Sequence, residues 1–259
     1  MYLQIGGFNI KILFIPREKK QLTDDLRIYI PALFTGFLLK KTKTCDFAIE
    51  LHRPVYPPNV LQMHHRREKI YLQYFYTEKQ KRIITPQHIS NFQFFFILSG
   101  VVLKLLNENG GFILHASSVI IDRKATLFIG PSGAGKSTAA FLLKEKYPVI
   151  ADDSIIIKRG KSGKYYCYQT PFQEKNKSIE RKKKRYKIGR IFFLRKSPYF
   201  QITKIREKEW ICRKLSKQLL VNKQYSKQLF KNLVTFVKEY NNFALLSFAK
   251  EKNEMMRLF

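Results

Sequence analysis

The sequence predicts an α/β fold preceded by a smaller β-rich region, on three observations. Residues 125–129 form an apolar strand candidate, residues 130–138 read Gly-Pro-Ser-Gly-Ala-Gly-Lys-Ser-Thr, and residues 136–146 continue with helical character. The chain then returns as a second apolar strand, Val149-Ile-Ala, which ends on Asp152-Asp153. The first 85 residues, by contrast, break into short strands and loops. The expected organisation is a β-rich region over 1–85 and an α/β domain over 86–259.

Composition bounds the class. A chain of 259 residues with 45% hydrophobic content can bury a sizeable core. Its three cysteines, Cys45, Cys167 and Cys212, are far apart and form no CxxC pair, which argues against a disulfide framework or a zinc site. The N-terminal residues lack a basic head and a long apolar run, so no signal peptide is expected and the implied compartment is the cytoplasm. Residues 28–39 are uncharged but too short to span a bilayer. Residues 85–103 contain Pro86, Gln87, His88, Ser90, Asn91 and Gln93. They read as a buried helix, a membrane span being the lesser alternative.

The net charge is extreme: 49 Lys and Arg against 19 Asp and Glu, formally +30. Such a field favours anionic partners (nucleotide, acidic peptide, nucleic acid or a membrane surface) without choosing among them. A lysine-biased composition is the bland alternative.

The elements follow in order. Residues 8–14, 45–51 and 69–76 read as strands, with Pro54, Pro57 and Pro58 marking a loop between the last two. His64 and His65, beside Arg66 and Arg67, read as a solvated basic turn. Residues 86–107 are apolar nearly all round, which predicts a buried helix with Pro86 in its first turn and glycines at its exit. Residues 112–115, 117–121 and 125–129 are strands, with a turn at Asp122-Arg-Lys. Strands over 149–151 and 155–158 and a hairpin tip over 158–164 lead into a strand at 165–168. Residues 175–187 carry eight basic residues and one acid, Glu180, and read equally as a solvated loop or an anionic docking surface. Strands at 188–194 and 200–205, helices at 207–220 and 225–240 and a strand at 243–248 complete the chain.

Residues 130–138 match G-x-x-x-x-G-K-[ST]. Glycines let successive N–H groups of such a loop turn inward as an anion nest, and the following helix aims its positive end there. Gly130, Pro131, Ser132, Gly133, Ala134, Gly135, Lys136, Ser137 and Thr138 are therefore the expected nucleotide-binding residues. Lys136 reaches the outer phosphates and the Ser137 hydroxyl holds Mg²⁺. A helix of eleven residues descends about 16 Å, and four or five strand residues climb back about 13–16 Å. Asp152 and Asp153 thus return to the level of the phosphates, where one carboxylate suits a metal and the other a proton. Transport and mechanical ATPases usually carry their acidic strand much further along the chain, which disfavours them. His115 closes a strand just upstream and is a candidate phosphate neighbour.

The run Leu114-His-Ala-Ser-Ser-Val-Ile-Ile-Asp, then Leu127-Phe-Ile-Gly-Pro-Ser-Gly-Ala-Gly-Lys-Ser-Thr, then Val149-Ile-Ala-Asp-Asp resembles the catalytic domain of HPr kinase/phosphorylase. It looks closer still to the small HPr-kinase-like proteins of peptide-modification clusters. The strong likeness covers 112–158, and a weaker one continues through Tyr168-Gln-Thr-Pro-Phe. It implies a phosphoenolpyruvate-carboxykinase-like P-loop domain with a mixed sheet, and an ATP- and Mg²⁺-dependent kinase acting on a serine hydroxyl of a peptide, a protein or a small molecule. Carried over, His115 lies near the transferred phosphate, Asp152 abstracts the proton, Asp153 is its electrostatic partner and a metal ligand, and Glu174 is the candidate for a further metal-binding glutamate. Thr138 stands where the bifunctional enzymes usually carry Glu, and their glycine-rich signature is absent downstream. Both departures argue against phosphorylase activity and against HPr as substrate. Related kinases form oligomers, so a homo-oligomer is a further implication. Two other classes remain: a non-catalytic nucleotide-binding adaptor of a peptide-modification system, and a nucleic-acid-dependent ATPase, for which the chain lacks a reader motif.

Overall fold

Gly6 and Gly7, at φ 59° and 77°, make a two-residue turn between β1 (Tyr2–Ile5) and β2 (Phe8–Ile15). Two successive positive φ values match the right-handed twist of the flanking strands. In the computed structural model of the protein, the described residues are 1–15, 25–52, 76–87, 89–172, 178–221 and 225–259. They form two compact units, Met1–Val101 and Val102–Phe259.

The first unit carries β1, β2, α1 (Asp25–Leu33), β3 (Leu38–Leu39), β4 (Phe47–His52), β5 (Thr77–Lys79) and β6 (Arg82–Pro86). The strands join as one mixed sheet in the order β3-β1-β2-β4-β6-β5. β2, β4 and β6 run parallel, and the edges are antiparallel. Strict alternation in β2 and β4 buries Ile10, Ile12, Phe47, Ile49 and Leu51, as expected for strands with one covered face. The strand expected at 69–76 falls almost wholly outside the described residues, as do His64 and His65.

Residues 86–107, expected as one helix, divide instead. Pro86 ends β6, paired opposite His52. The helix, α2 (Asn91–Glu108), begins after Ser90. Ser90 N–H donates to Gln93 Oε1 (2.7 Å) and Gln93 N–H to Ser90 Oγ (3.2 Å), a reciprocal capping box. That box sets the start and leaves Pro86 free for a strand end. Among the described residues no helix is long and apolar enough to cross a membrane.

The second unit holds β7 (Gly111–Leu114), β8 (Ser117–Ile121), β9 (Lys124–Ile129), α3 (Lys136–Leu142), β10 (Val149–Ala151), β11 (Ile155–Arg159), β12 (Tyr165–Gln169), β13 (Arg185–Lys196), β14 (Gln201–Ile205), α4 (Lys208–Ser216), β15 (Leu219–Leu220), α5 (Ser226–Glu239), β16 (Phe243–Phe248) and α6 (Lys252–Arg257). β13 is the spine of a mixed sheet. One edge carries β9 in parallel; the other carries β12 antiparallel near Arg185 and β16 parallel from Ile191 onward. The sheet therefore forks. One arm runs β10-β8-β9-β13-β16-β14, and the other leaves β13 through β12-β11-β7-β15.

Helices cover both faces of the first arm. Phe192 stacks 6.0 Å from Phe128, and both belong to a core with Ala139, Ala140 and Leu143 near or in α3 and Met255 of α6. Phe193 points the other way, as strand alternation requires. Its ring lies 4.9 Å from Trp210 of α4, while Phe243 meets Phe236 of α5. Asn232, nearly buried on α5, donates to the carbonyls of Asn107 (3.2 Å) and Gly111 (3.1 Å), which anchors the exit of α2.

α3 is shorter than the 136–146 expected. Residues 143–146 tighten into turns, with Lys146 N–H bonded to Leu143 O. Pro148 forces the chain out of helical geometry before it. The helix expected at 207–220 likewise stops at Ser216, and Leu219–Leu220 pair with β7 instead. Of the basic segment 175–187, Arg185–Lys187 belong to β13, residues 178–184 are irregular, and 175–177 lie outside the described residues.

Burial, and then a hydrogen bond to Glu239 (2.9 Å), raises the Tyr165 phenol above its ordinary value, and burial does the same for Tyr240. The folded state thus holds these protons more tightly than the unfolded chain. Their contribution is intact below about pH 10 and is lost as pH rises beyond it. Urea unfolding measured from pH 9 to 11 is expected to show falling stability, and Tyr165→Phe with Tyr240→Phe should flatten the fall.

Candidate active site

Strand direction gathers the site. β9, β13 and β16 are mutually parallel, and β10 is parallel to β9 because each is antiparallel to the intervening β8. Four carboxyl ends therefore face one edge of the sheet, where open α/β sheets receive ligands. The register sets the level. Ser118 pairs with both Leu127 and Ala151, and Ser117 pairs with Phe128. Asp152 and Asp153, just past Ala151, thus lie level with residues 128–130. They stand two strand spacings away, about 10 Å.

The loop leaves β9 at Gly130. A Cβ there would sit 2.7 Å from Ala134 Cβ, closer than carbon atoms approach. Gly135 adopts φ 93° directly ahead of α3, and a Cβ on it would come 2.9 Å from the Phe248 ring. Both positions need glycine for the loop to close on itself. Ala134 N–H bonds to Pro131 O, and Ala139 N–H to Gly135 O as the first helical turn. Lys136 is buried, and its Nζ donates to the carbonyls of Gly130 (2.8 Å) and Pro131 (3.1 Å) inside the loop. Pro131, Ser132, Gly133 and Ser137 are exposed, and Thr138 is half-buried. The residues fit a phosphate cradle: an inward ammonium, turned backbone and an accessible hydroxyl at the helix start.

Asp152 and Asp153 are 9% and 6% exposed. Ser117 Oγ lies 3.1 Å from the Asp152 carbonyl and 3.2 Å from its Oδ1. His115 Nδ1 lies 2.6 Å from the Asp153 carbonyl oxygen and 2.9 Å from its Oδ1. A carbonyl only accepts, so Nδ1 carries a proton and Nε2 is the acceptor of the neutral ring. The strand end is further held from below. Gln169 donates to Ile150 O (2.9 Å), Ser154 to Phe172 O (2.7 Å), and Phe172 N–H to Thr170 Oγ1 (3.1 Å).

The structure thus brings His115, Asp152 and Asp153 together on the loop's edge of the sheet, with His115 bonded to Asp153 and Ser117 to Asp152. Glu174 lies outside the described residues. Among the described residues no group of three or more His, Cys, Asp or Glu has the geometry of a metal cage. A metal shared between one hydroxyl, one carboxylate and phosphate oxygens needs no such cage. Ser117 was not singled out in the sequence. Its adjacency to His115 was the available signal, but its contact with Asp152 arises only from the β8–β10 pairing.

Replacing Ser117 by alanine leaves the buried Asp152 without that hydroxyl. The expected loss is about 1–3 kcal/mol of folding stability, read from urea unfolding midpoints at pH 7. Gly135→Ala should cost comparably, because both its φ and the Phe248 ring oppose a methyl group.

No curated protein matches the chain. Among solved structures, the Hpr(Ser) kinase/phosphatase from Coxiella burnetii is similar at 16% identity over 36% of this chain and 77% of that one, with a TM-score of 0.27. A family model described as SynChlorMet cassette protein ScmC matches residues 84–252, a span that takes in the loop, the aspartates and most of the second unit. That span is well over half of the chain, and the protein belongs to the ScmC family of SynChlorMet cassette proteins.

Proposed function

We propose that the protein is an ATP-dependent kinase that transfers a phosphoryl group to a serine hydroxyl of a peptide, a protein or a small serine-like molecule. The observation that carries this reading is the shared level of the glycine-rich loop and the two buried aspartates at one sheet edge. Burying two adjacent carboxylates is costly, and such groups beside a cradle are functional candidates.

In the proposed mechanism the loop N–H groups and Lys136 hold the phosphates of ATP and neutralise charge that develops on them. Ser137, with Asp153 and Glu174 as further candidates, would hold Mg²⁺, which would supply additional positive charge beside the phosphate oxygens. Asp152 accepts the proton of the acceptor hydroxyl as its oxygen bonds to the γ-phosphorus and the bond to the ADP oxygen breaks. Ser117 fixes the Asp152 carboxylate, and His115 fixes Asp153. The buried setting keeps both groups in one orientation, which is what in-line transfer needs.

Transfer from γ-labelled ATP to serine peptides tests this. Asp152→Asn is expected to lower transfer by about 10²–10⁴-fold while nucleotide remains bound. Transfer that persists in this variant would show that Asp152 is not the base. Tight nucleotide binding with no turnover on any acceptor would favour the adaptor reading.

A further inference from the structure

A cleft of about 610 Å³ opens beside the glycine-rich loop. Gly133, Ala134, Gly135 and Thr138 form one wall, and the exits of β13 and β16 form the other. We propose that this cleft is the nucleoside subsite of the phosphate donor, and that it takes either purine. The proposal rests on the phosphate-loop reading above and assigns the other end of the same ligand.

Position is the first support. β9 is central. The aspartates arrive on its β8–β10 side, whereas the cleft lies on its β13–β16 side. A nucleoside triphosphate whose outer phosphate faces Asp152 must send its nucleoside away from that carboxylate. The cleft is where the loop then delivers it. Its volume is in the range of small-molecule sites.

Chemistry is the second support. Pro198, Ala249 and the largely buried Phe248 line the cleft, so a flat base gains apolar contact. Ser197 N–H bonds to Phe248 O (3.1 Å), which ties the two exits into one wall. Lys196 and Lys250, both exposed, supply positive charge beside a polyanion. Among the described residues, the lining carries the hydroxyls of Thr138 and Ser197 but no carboxylate and no carboxamide side chain. Adenine and guanine differ in the donors and acceptors on their edges, and side-chain discrimination between them relies on those groups. A base held mainly by apolar contact, with no carboxylate or carboxamide to read its edge, is not sorted between adenine and guanine.

Calorimetry with Mg²⁺ and three probes (ADP, GDP and inorganic tripolyphosphate) tests the assignment on the whole chain. ADP and GDP should bind within about threefold of each other, as expected where no edge is read. Ala249→Trp and Pro198→Trp, which fill the cleft without changing charge, should each weaken ADP at least about tenfold and leave tripolyphosphate within about twofold. Retained tripolyphosphate binding also reports an intact loop. Unchanged ADP affinity in both variants, or equal losses for ADP and tripolyphosphate, would overturn the subsite. More than about tenfold preference between ADP and GDP would overturn the purine tolerance. Binding of neither ADP nor tripolyphosphate to the unaltered chain would overturn this proposal together with the phosphate-loop reading. A chain that binds as described but transfers no phosphate would keep the subsite and sink only the kinase.

Discussion

The β9–β8–β10 register is the constraint on which the site depends. β8 hydrogen-bonds on both sides, and Ser118 fixes Leu127 on one flank and Ala151 on the other. The two flanking strands point the same way only because β8 runs against both. The short turn at Asp122 and Arg123, both at positive φ (48° and 62°), holds the β8–β9 hairpin in place. A slip of one residue in either ladder would turn every side chain of that strand to the opposite face. Asp152 would leave Ser117, and the loop would leave the level of the carboxylates. Fully buried Val119, Leu127, Phe128 and Ala151 oppose such a slip, since both faces are covered and each side chain would have to repack against the opposite layer.

Within that frame the polar groups are positioned by neighbours that are themselves fixed. Ser117 is fully buried, so its hydroxyl has few alternatives to the Asp152 carbonyl and carboxylate. His115 is more exposed, yet its Nδ1 is committed to Asp153. Gln169 spans two elements, donating to Ile150 O and to Glu180 O while accepting from Lys182 N–H. The strand end that carries the acids is thereby tied to β12 and to the irregular segment before β13. An electrostatic site gains from such rigidity, because donors and acceptors need not reorganise as charge moves.

The sequence made the loop, its flanking strand and helix, and the returning acidic strand legible, because each is a local pattern. Residues 130–137 need particular glycines and a lysine, and β7 to β9 show apolar runs broken by a turn. What stayed hidden depends on pairing across the chain. Pro86 read as a helix start because residues 86–107 are apolar throughout; its partner His52 lies 34 positions earlier. Leu219 and Leu220 read as helix because their neighbour β7 lies about 105 residues upstream. α6 went unread because its six residues are mostly polar, with Met255 alone fully buried. The Ser117–Asp152 contact and the cleft walls are of the same kind: each joins segments that only the folded sheet brings together.

On the proposed reading, the forked sheet lets one central strand serve two ends of an elongated ligand. The antiparallel β8 and the β10 beyond it deliver carboxylates, which suit a proton or a metal. The parallel β13 and β16 deliver apolar residues and lysines, which suit a base and a polyanion. The two sets repel different things, and β9 keeps them apart by at least one strand spacing on either side, about 5 Å each. The net charge of +30 acts in the same sense. On the proposed reading a positive surface draws a nucleoside polyphosphate from any direction, and the loop supplies the turned backbone and buried ammonium that hold it. Long-range charge therefore sets how often an anion arrives. The local pattern of carboxylates on one side and apolar wall on the other sets which way round it must lie.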